Sequence, residues 1–191
     1  MDLLWFFLAP TQSMTFRNET LQFDDEDWDI LEAAYTEHTF RLVPSRWQNF
    51  SKLATLNWSV QLFSDSNAIT IPASSGIYSF CVEPNLTDNL AACFLMYFGK
   101  ANNLRRRYGE YIREIRAPKG VGRPSIKRLK YYKSTGYLYF HFAEIDPAMA
   151  VPQILDTFLL SVEKSLITAF APPVNSQITD AQVRRVESAF D

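Results

Sequence analysis

The chain has 191 residues, 47% of them hydrophobic and 21% charged, a balance that supports one well-buried domain with an extension and excludes wholesale disorder. Its six glycines form neither a phosphate loop nor a dinucleotide fingerprint. The net charge of -2 conceals three blocks: -8 over residues 1–97, +10 over 98–133 (twelve bases against Glu110 and Glu114), and -4 over 134–191. A basic block of that density inside an acidic chain is the footprint of a polyanion partner, since a merely solvated helix face mixes its signs.

Leu3 to Ala9 is apolar, yet Asp2 stands where a signal peptide would be basic, and no small-residue cleavage site follows. The run is also far short of the roughly 20 residues a bilayer requires. It is expected as a buried strand, a helix turn or an interaction patch, in a cytoplasmic protein with no membrane segment. The sequons at Asn18, Asn49, Asn57 and Asn85 are accordingly read as chance. Asp24 to Asp27 opens an amphipathic helix with Trp28, Leu31, Ala34, Tyr35 and His38 at helical spacing, the acids suiting its N-terminus. Pro44 breaks that pattern, and a shorter helix is expected from Trp47 to Leu56. Trp58 to Phe63 alternates like a strand, and Ser64 to Asn67 signals a turn. Residues 1–70 thus read as a mainly helical extension that packs on the rest, binds a partner protein or self-associates.

The second part is more regular. Strands are expected over Ser75 to Val82 and Ala92 to Phe98, joined by a long polar connection. Asn102 or Asn103 caps a helix running to about Arg116. Pro118 to Pro124, with two glycines and two prolines, reads as a mobile basic loop inside an insertion over 117–136. Tyr137 to Ala143 is a third strand. Pro152 starts a helix whose Ile154, Leu155, Phe158, Leu159, Val162, Leu166, Ile167 and Phe170 share an apolar face, and Pro172-Pro173 ends it. A closing helix is expected within 177–191. Cys81 and Cys93 fall on neighbouring strands and read as reduced core thiols, with no partners at zinc spacing. His38 and His141 read as structural.

Four pieces, in order, stand out: Gly76-Ile77-Tyr78, then Tyr97-Phe98-Gly99-Lys100-Ala101-x-Asn103-Leu104-x-x-Arg107, then Glu163-x-x-Leu166-Ile167, and last Pro172-x-x-Asn175. Together they resemble the GIY-YIG nuclease family, the second piece closely so for the nucleases of bacterial excision repair. The likeness covers Ser75 to Asn175. Phe98 replaces the second isoleucine, and the segments between the two motifs and over 116–137 are longer than the family pattern.

The resemblance implies an α/β (α+β) domain over 71–176, a small three-stranded antiparallel sheet flanked by helices. It implies hydrolysis of phosphodiester bonds in DNA with one divalent cation, Mg²⁺ or Mn²⁺, at Glu163. Tyr78 would act as, or relay to, the general base, helped by cations that favour its phenolate. Tyr97, Lys100 and Arg107 would orient the phosphate, with Tyr111, one turn after Arg107, as a third phenol and Asn175 closing the site. Arg105, Arg106, Arg113, Arg123, Lys127 and Arg128 would meet the DNA backbone. Independently of any family, Glu163 interrupts an apolar helix face, and a carboxylate there costs several kcal/mol unless paired or metal-bound. The alternative is a catalytically inactive module of the same type that grips nucleic acid, or an adaptor.

Overall fold

The structure, a computed structural model, describes residues 40, 44, 46–47, 55–84, 92–116, 124–145 and 152–175, with backbone alone for 124–128 and 152–153. Four strands, β1 (Ser59–Leu62), β2 (Gly76–Val82), β3 (Phe94–Ala101) and β4 (Leu138–Glu144), form one antiparallel sheet in the order β1-β4-β2-β3. Three α-helices, α1 (Leu104–Arg116), α2 (Pro124–Ser134) and α3 (Pro152–Phe170), and a short 3-10 turn at Ser66–Ile69 accompany the sheet among the described residues. The chain is therefore α+β, but its sheet has four strands where three were expected. The fourth, β1, comes from the segment read as extension and pairs with β4 from Ser59↔Phe142 to Leu62↔Tyr139. None of the helices among the described residues is long and apolar enough to cross a membrane.

Both faces of the central strand are covered. β2 reads Gly-Ile-Tyr-Ser-Phe-Cys-Val and is buried at every position, as an apolar run without polar alternation demands. Tyr78, Phe80, Phe140 and Phe63 pack with Leu104, Tyr108 and Ile112 of α1 on one side. Ile77 and Phe98 pack with Leu155, Leu159, Val162 and Leu166 of α3 on the other. The β2–β3 register shifts between Phe80 and Cys81, so that β3 has one residue more than its partner there. The extra residue lets both Met96 and Tyr97 meet the α1-side core, while Leu95 and Phe98 face α3.

The start of α1 is well satisfied. Asn103 Oδ1 accepts from the Arg106 amide at 2.8 Å, and the Leu104 and Arg105 amides reach the Ser74 and Pro72 carbonyls. Tyr108 is spent on structure. Its hydroxyl accepts from Ser64 N at 2.8 Å and donates to Ser64 O at 2.7 Å, and burial pushes its pKa up to about 12.

Further expectations change. The segment after Pro124 is a helix, α2, not part of a loop, and its Leu129 is buried in the α1-side core. Cys81 is buried but Cys93 is exposed, so they are not a pair of core thiols. From the N-terminal segment, Trp47 Nε1 donates to Ala169 O at 2.9 Å and its ring stacks on Phe170, while Trp58 lies against Phe98. Pro44, Arg46 and Trp47 are helical, so Pro44 does not break a helix there, and residues 55 and 56 are not helical, so the helix expected to reach Leu56 ends before it. The expected stripe of Trp28, Leu31 and Tyr35 with its helix, residues 48–54, the connection over 85–91, residues 117–123 and the closing helix lie outside the described residues.

Candidate active site at the β3 edge

The antiparallel register brings the two motif tyrosines together. Tyr78 pairs with Gly99 and Phe80 with Tyr97, so Tyr78 and Tyr97 sit diagonally on the α1 face with ring centroids 6.1 Å apart. Both tyrosines lie inside their strands. The two motif glycines have a steric reason. A β-carbon at Gly99 would fall on the Cζ and hydroxyl of Tyr78, and one at Gly76 would fall on the Ala143 carbonyl and Leu104. The phenol of Tyr78 therefore crosses β3 over a position that only glycine leaves open.

Helix α1 delivers the next two groups one turn apart. Arg107 Nε donates to the Tyr78 hydroxyl at 3.0 Å, and its guanidinium stands 5.0 Å from the centre of the Tyr111 ring. The Tyr78 and Tyr111 hydroxyls are 3.1 Å apart, and Tyr111 also hydrogen-bonds Tyr97. Tyr78 is fully buried. Burial, reinforced by the neighbouring phenols, raises its pKa well above the usual value, and the opposing pull of Arg107 does not reverse this. The expectation that nearby cations favour the phenolate is thus not met: Tyr78 is a neutral hydroxyl at ordinary pH. Burial raises Tyr111 in the same direction.

On the other side of β3, α3 contributes Glu163, 8% exposed, whose Oε1 accepts from the Lys100 amide at 3.2 Å. Burial raises its pKa, against smaller opposing effects of Lys100 and Arg107. Among the described residues no cation forms an ion pair with it. A buried carboxylate in that condition is suited to a divalent cation, which would offset its charge, and one carboxylate with retained waters is an ordinary Mg²⁺ environment.

Comparison with protein-family models, characterised proteins and solved structures found no match.

Two acids that the sequence reading passed over stand beside the site cations. Lys100 Nζ pairs with Asp156 of α3, and Arg107 with Glu110 at 2.8 Å. Both carboxyls are held below their usual range by those cations. Lys100, Asn102, Asn103, Arg106, Arg107 and Glu110 line a shallow cleft of about 200 Å³, large enough for a phosphate group. Asn175 has a different employment. It is buried, its Oδ1 accepts from Phe98 N at 2.7 Å and its Nδ2 donates to Phe98 O at 2.9 Å. Its amide thus imitates a strand partner on the open edge of β3 and leaves little for a ligand.

Of the cations expected at the DNA backbone, Arg106 and Arg113 are exposed on α1. Arg105 reaches back to the Ile71 carbonyl at 2.6 Å. Arg123 is outside the described residues, and Lys127 and Arg128 lie on α2 by their backbone. Two other members of the basic block, Arg116 and Lys133, are both taken by Asp65.

Proposed function

We propose that this chain is a metal-dependent endonuclease of the GIY-YIG type, hydrolysing phosphodiester bonds in DNA. The observation that carries the reading is the Tyr78 hydroxyl held between Arg107 and Tyr111, with Tyr97 of the edge strand beside it and Glu163 of α3 bonded to the Lys100 amide of that same strand. In this reading a phosphate enters the cleft beside Lys100 and Arg107, which turn from Asp156 and Glu110 to its oxygens and offset charge as it develops. Tyr78, being neutral, serves as a relay. Its hydroxyl takes a proton from the attacking water as its own moves to the Tyr111 oxygen, and Tyr111 in turn passes its proton to Tyr97, which releases one to solvent. A divalent cation at Glu163, Mg²⁺ or Mn²⁺, would supply Lewis-acid stabilisation of the leaving oxygen.

A second reading has an observation in its favour. Tyr78 is wholly covered, and Lys100 and Arg107 are already ion-paired, as suits a module that grips nucleic acid without cutting. The test is incubation of the full chain with linear, nicked and branched DNA in Mg²⁺, Mn²⁺ or EDTA. Cleavage in metal that stops in EDTA is expected. Binding without cleavage on every substrate would replace the nuclease reading with the binding module, and neither binding nor cleavage would leave the adaptor.

A further inference from the structure

On the sheet face away from Tyr78, the structure assembles a second set of chemically demanding side chains. Cys81 lies on β2, Cys93 just before β3 and His141 on β4, and one ligand atom from each falls within 4.8 Å of the other two. The strand register explains the meeting. Ser79 pairs with His141 and Cys81 with Tyr139, so Cys81 and His141 are diagonal neighbours on one face. Cys93 precedes Phe94, the partner of Val82, and so enters from the adjoining strand. Glu83, the residue after β2, closes the group. Its Oε1 is 2.6 Å from His141 Nε2, and it also hydrogen-bonds the Cys93 thiol.

We propose that Cys81, Cys93 and His141 form a binding site for a zinc ion, with Glu83 hydrogen-bonded to the histidine ring as its positioning carboxylate. Two sulfurs and an imidazole, with a water in the fourth place, are a donor set that zinc takes in tetrahedral sites, whereas Mg²⁺ and Ca²⁺ call for oxygens alone. With Zn–S near 2.3 Å and Zn–N near 2.0–2.1 Å, tetrahedral donors stand roughly 3.5–3.8 Å apart, so closing the site requires a contraction of about 1.3 Å at most. Cys93 is exposed and gives the ion a route in, while Cys81 is 4% exposed and anchors it. Binding replaces two thiol protons with the metal, and those protons leave to solvent. The ion would tie the ends of β2 and β3 to β4. The site has no residue in common with the Tyr78–Glu163 cluster, so it stands whether or not the chain cleaves DNA.

The sequence concealed this site because its ligands come from three strands and no short Cys-x-x-Cys spacing announces them. His141 read as structural. Glu83, far away in sequence, is the acid that the fold supplies.

The test uses the full chain, reduced with a phosphine and stripped of metal, titrated with Co²⁺ as a probe. A one-to-one endpoint with intense visible d–d bands and thiolate-to-cobalt charge transfer is expected, and displacement of cobalt by Zn²⁺. Cys93→Ser, at an exposed position, should abolish the charge-transfer band of its thiolate and weaken binding at least 10-fold. Glu83→Gln should weaken binding on the order of 10–100-fold, the scale for a carboxylate that holds a metal-bound histidine. A parallel melting curve should rise with Zn²⁺ and not with Mg²⁺. Absence of cobalt bands in the reduced protein, or bands unchanged in both variants, would overturn the proposal. So would a Cys81–Cys93 disulfide in the protein as purified whose reduced form takes no metal.

Discussion

Burial of the Glu163 carboxylate, with one backbone N–H as its donor, raises its pKa above the ordinary 4.5, so the folded chain holds this proton more tightly than the unfolded chain. The stability it contributes is then complete below that ordinary value and declines as pH rises through the raised folded value. Glu163→Gln keeps an oxygen for the Lys100 amide and removes the charge. It should melt higher than the parent at pH 8 in EDTA and equally at pH 4, which thermal denaturation at the two pH values will show. In the nuclease reading the same change should abolish Mg²⁺-dependent cleavage, a loss of at least about 10²-fold. Near-parental cleavage would remove Glu163 from the metal position. Tyr78→Phe separates chemistry from packing in a different way. The ring and its contacts with Phe80 and Phe140 remain, while the hydroxyl shared by Arg107 and Tyr111 is lost. Single-turnover cleavage should fall by about 10²–10⁴, the range for one positioned proton-transfer group, with DNA affinity little changed. A variant that cleaves at the parental rate would make Tyr78 a packing residue.

At the scale of elements, the pairing of β2 with β3 depends on one vacancy, the missing side chain at Gly99. Gly99→Ala puts a methyl where the end of the Tyr78 ring lies and should cost about 1–3 kcal/mol in urea denaturation. Tyr78→Leu removes Cζ and the hydroxyl, so in the double variant the two costs should add to less than their sum. Simple additivity would mean that the strands shift to admit the methyl. Much at this scale was legible in the sequence, since β2, β3, β4, α1 and α3 are apolar runs or stripes bounded by Asn or Pro. The alternation of β1 was visible too, but not its place, because the partner strand β4 lies far along the chain. Helix α2 was hidden by the prolines and glycines before it and by a polar, basic surface with only a weak apolar stripe. Tyr78, Tyr97, Arg107 and Glu163 could be read from order and spacing. Glu110, three residues after Arg107 on one helix, was readable from that spacing, whereas Asp156 could not be read as a partner of Lys100, because that depends on how α3 lies along β3.

At the scale of the whole molecule, the +10 block over 98–133 is less uniform than its sequence implies. Asp65 holds Arg116 and Lys133, and the Ile71 carbonyl holds Arg105, so those cations have work within the fold. Arg106 and Arg113 project from α1 on the helix that also carries Arg107. For duplex DNA, each phosphate contact contributes about 0.9 to the slope of log affinity against log salt. Arg106→Gln with Arg113→Gln should therefore flatten that slope by up to about 1.8, measured by fluorescence anisotropy in the Glu163→Gln background so that the DNA stays intact. Reversing Arg123, Lys127 and Arg128 should flatten it further if the segment leading into α2 continues the same face. Arg116→Gln serves as the internal contrast. It should leave the slope unchanged and lower thermal stability slightly, since it removes an exposed ion pair worth at most about 1 kcal/mol. A slope insensitive to Arg106 and Arg113 but reduced by Arg116→Gln would put the polyanion on the opposite end of α1, away from Lys100 and Arg107, and would separate binding from the proposed active site.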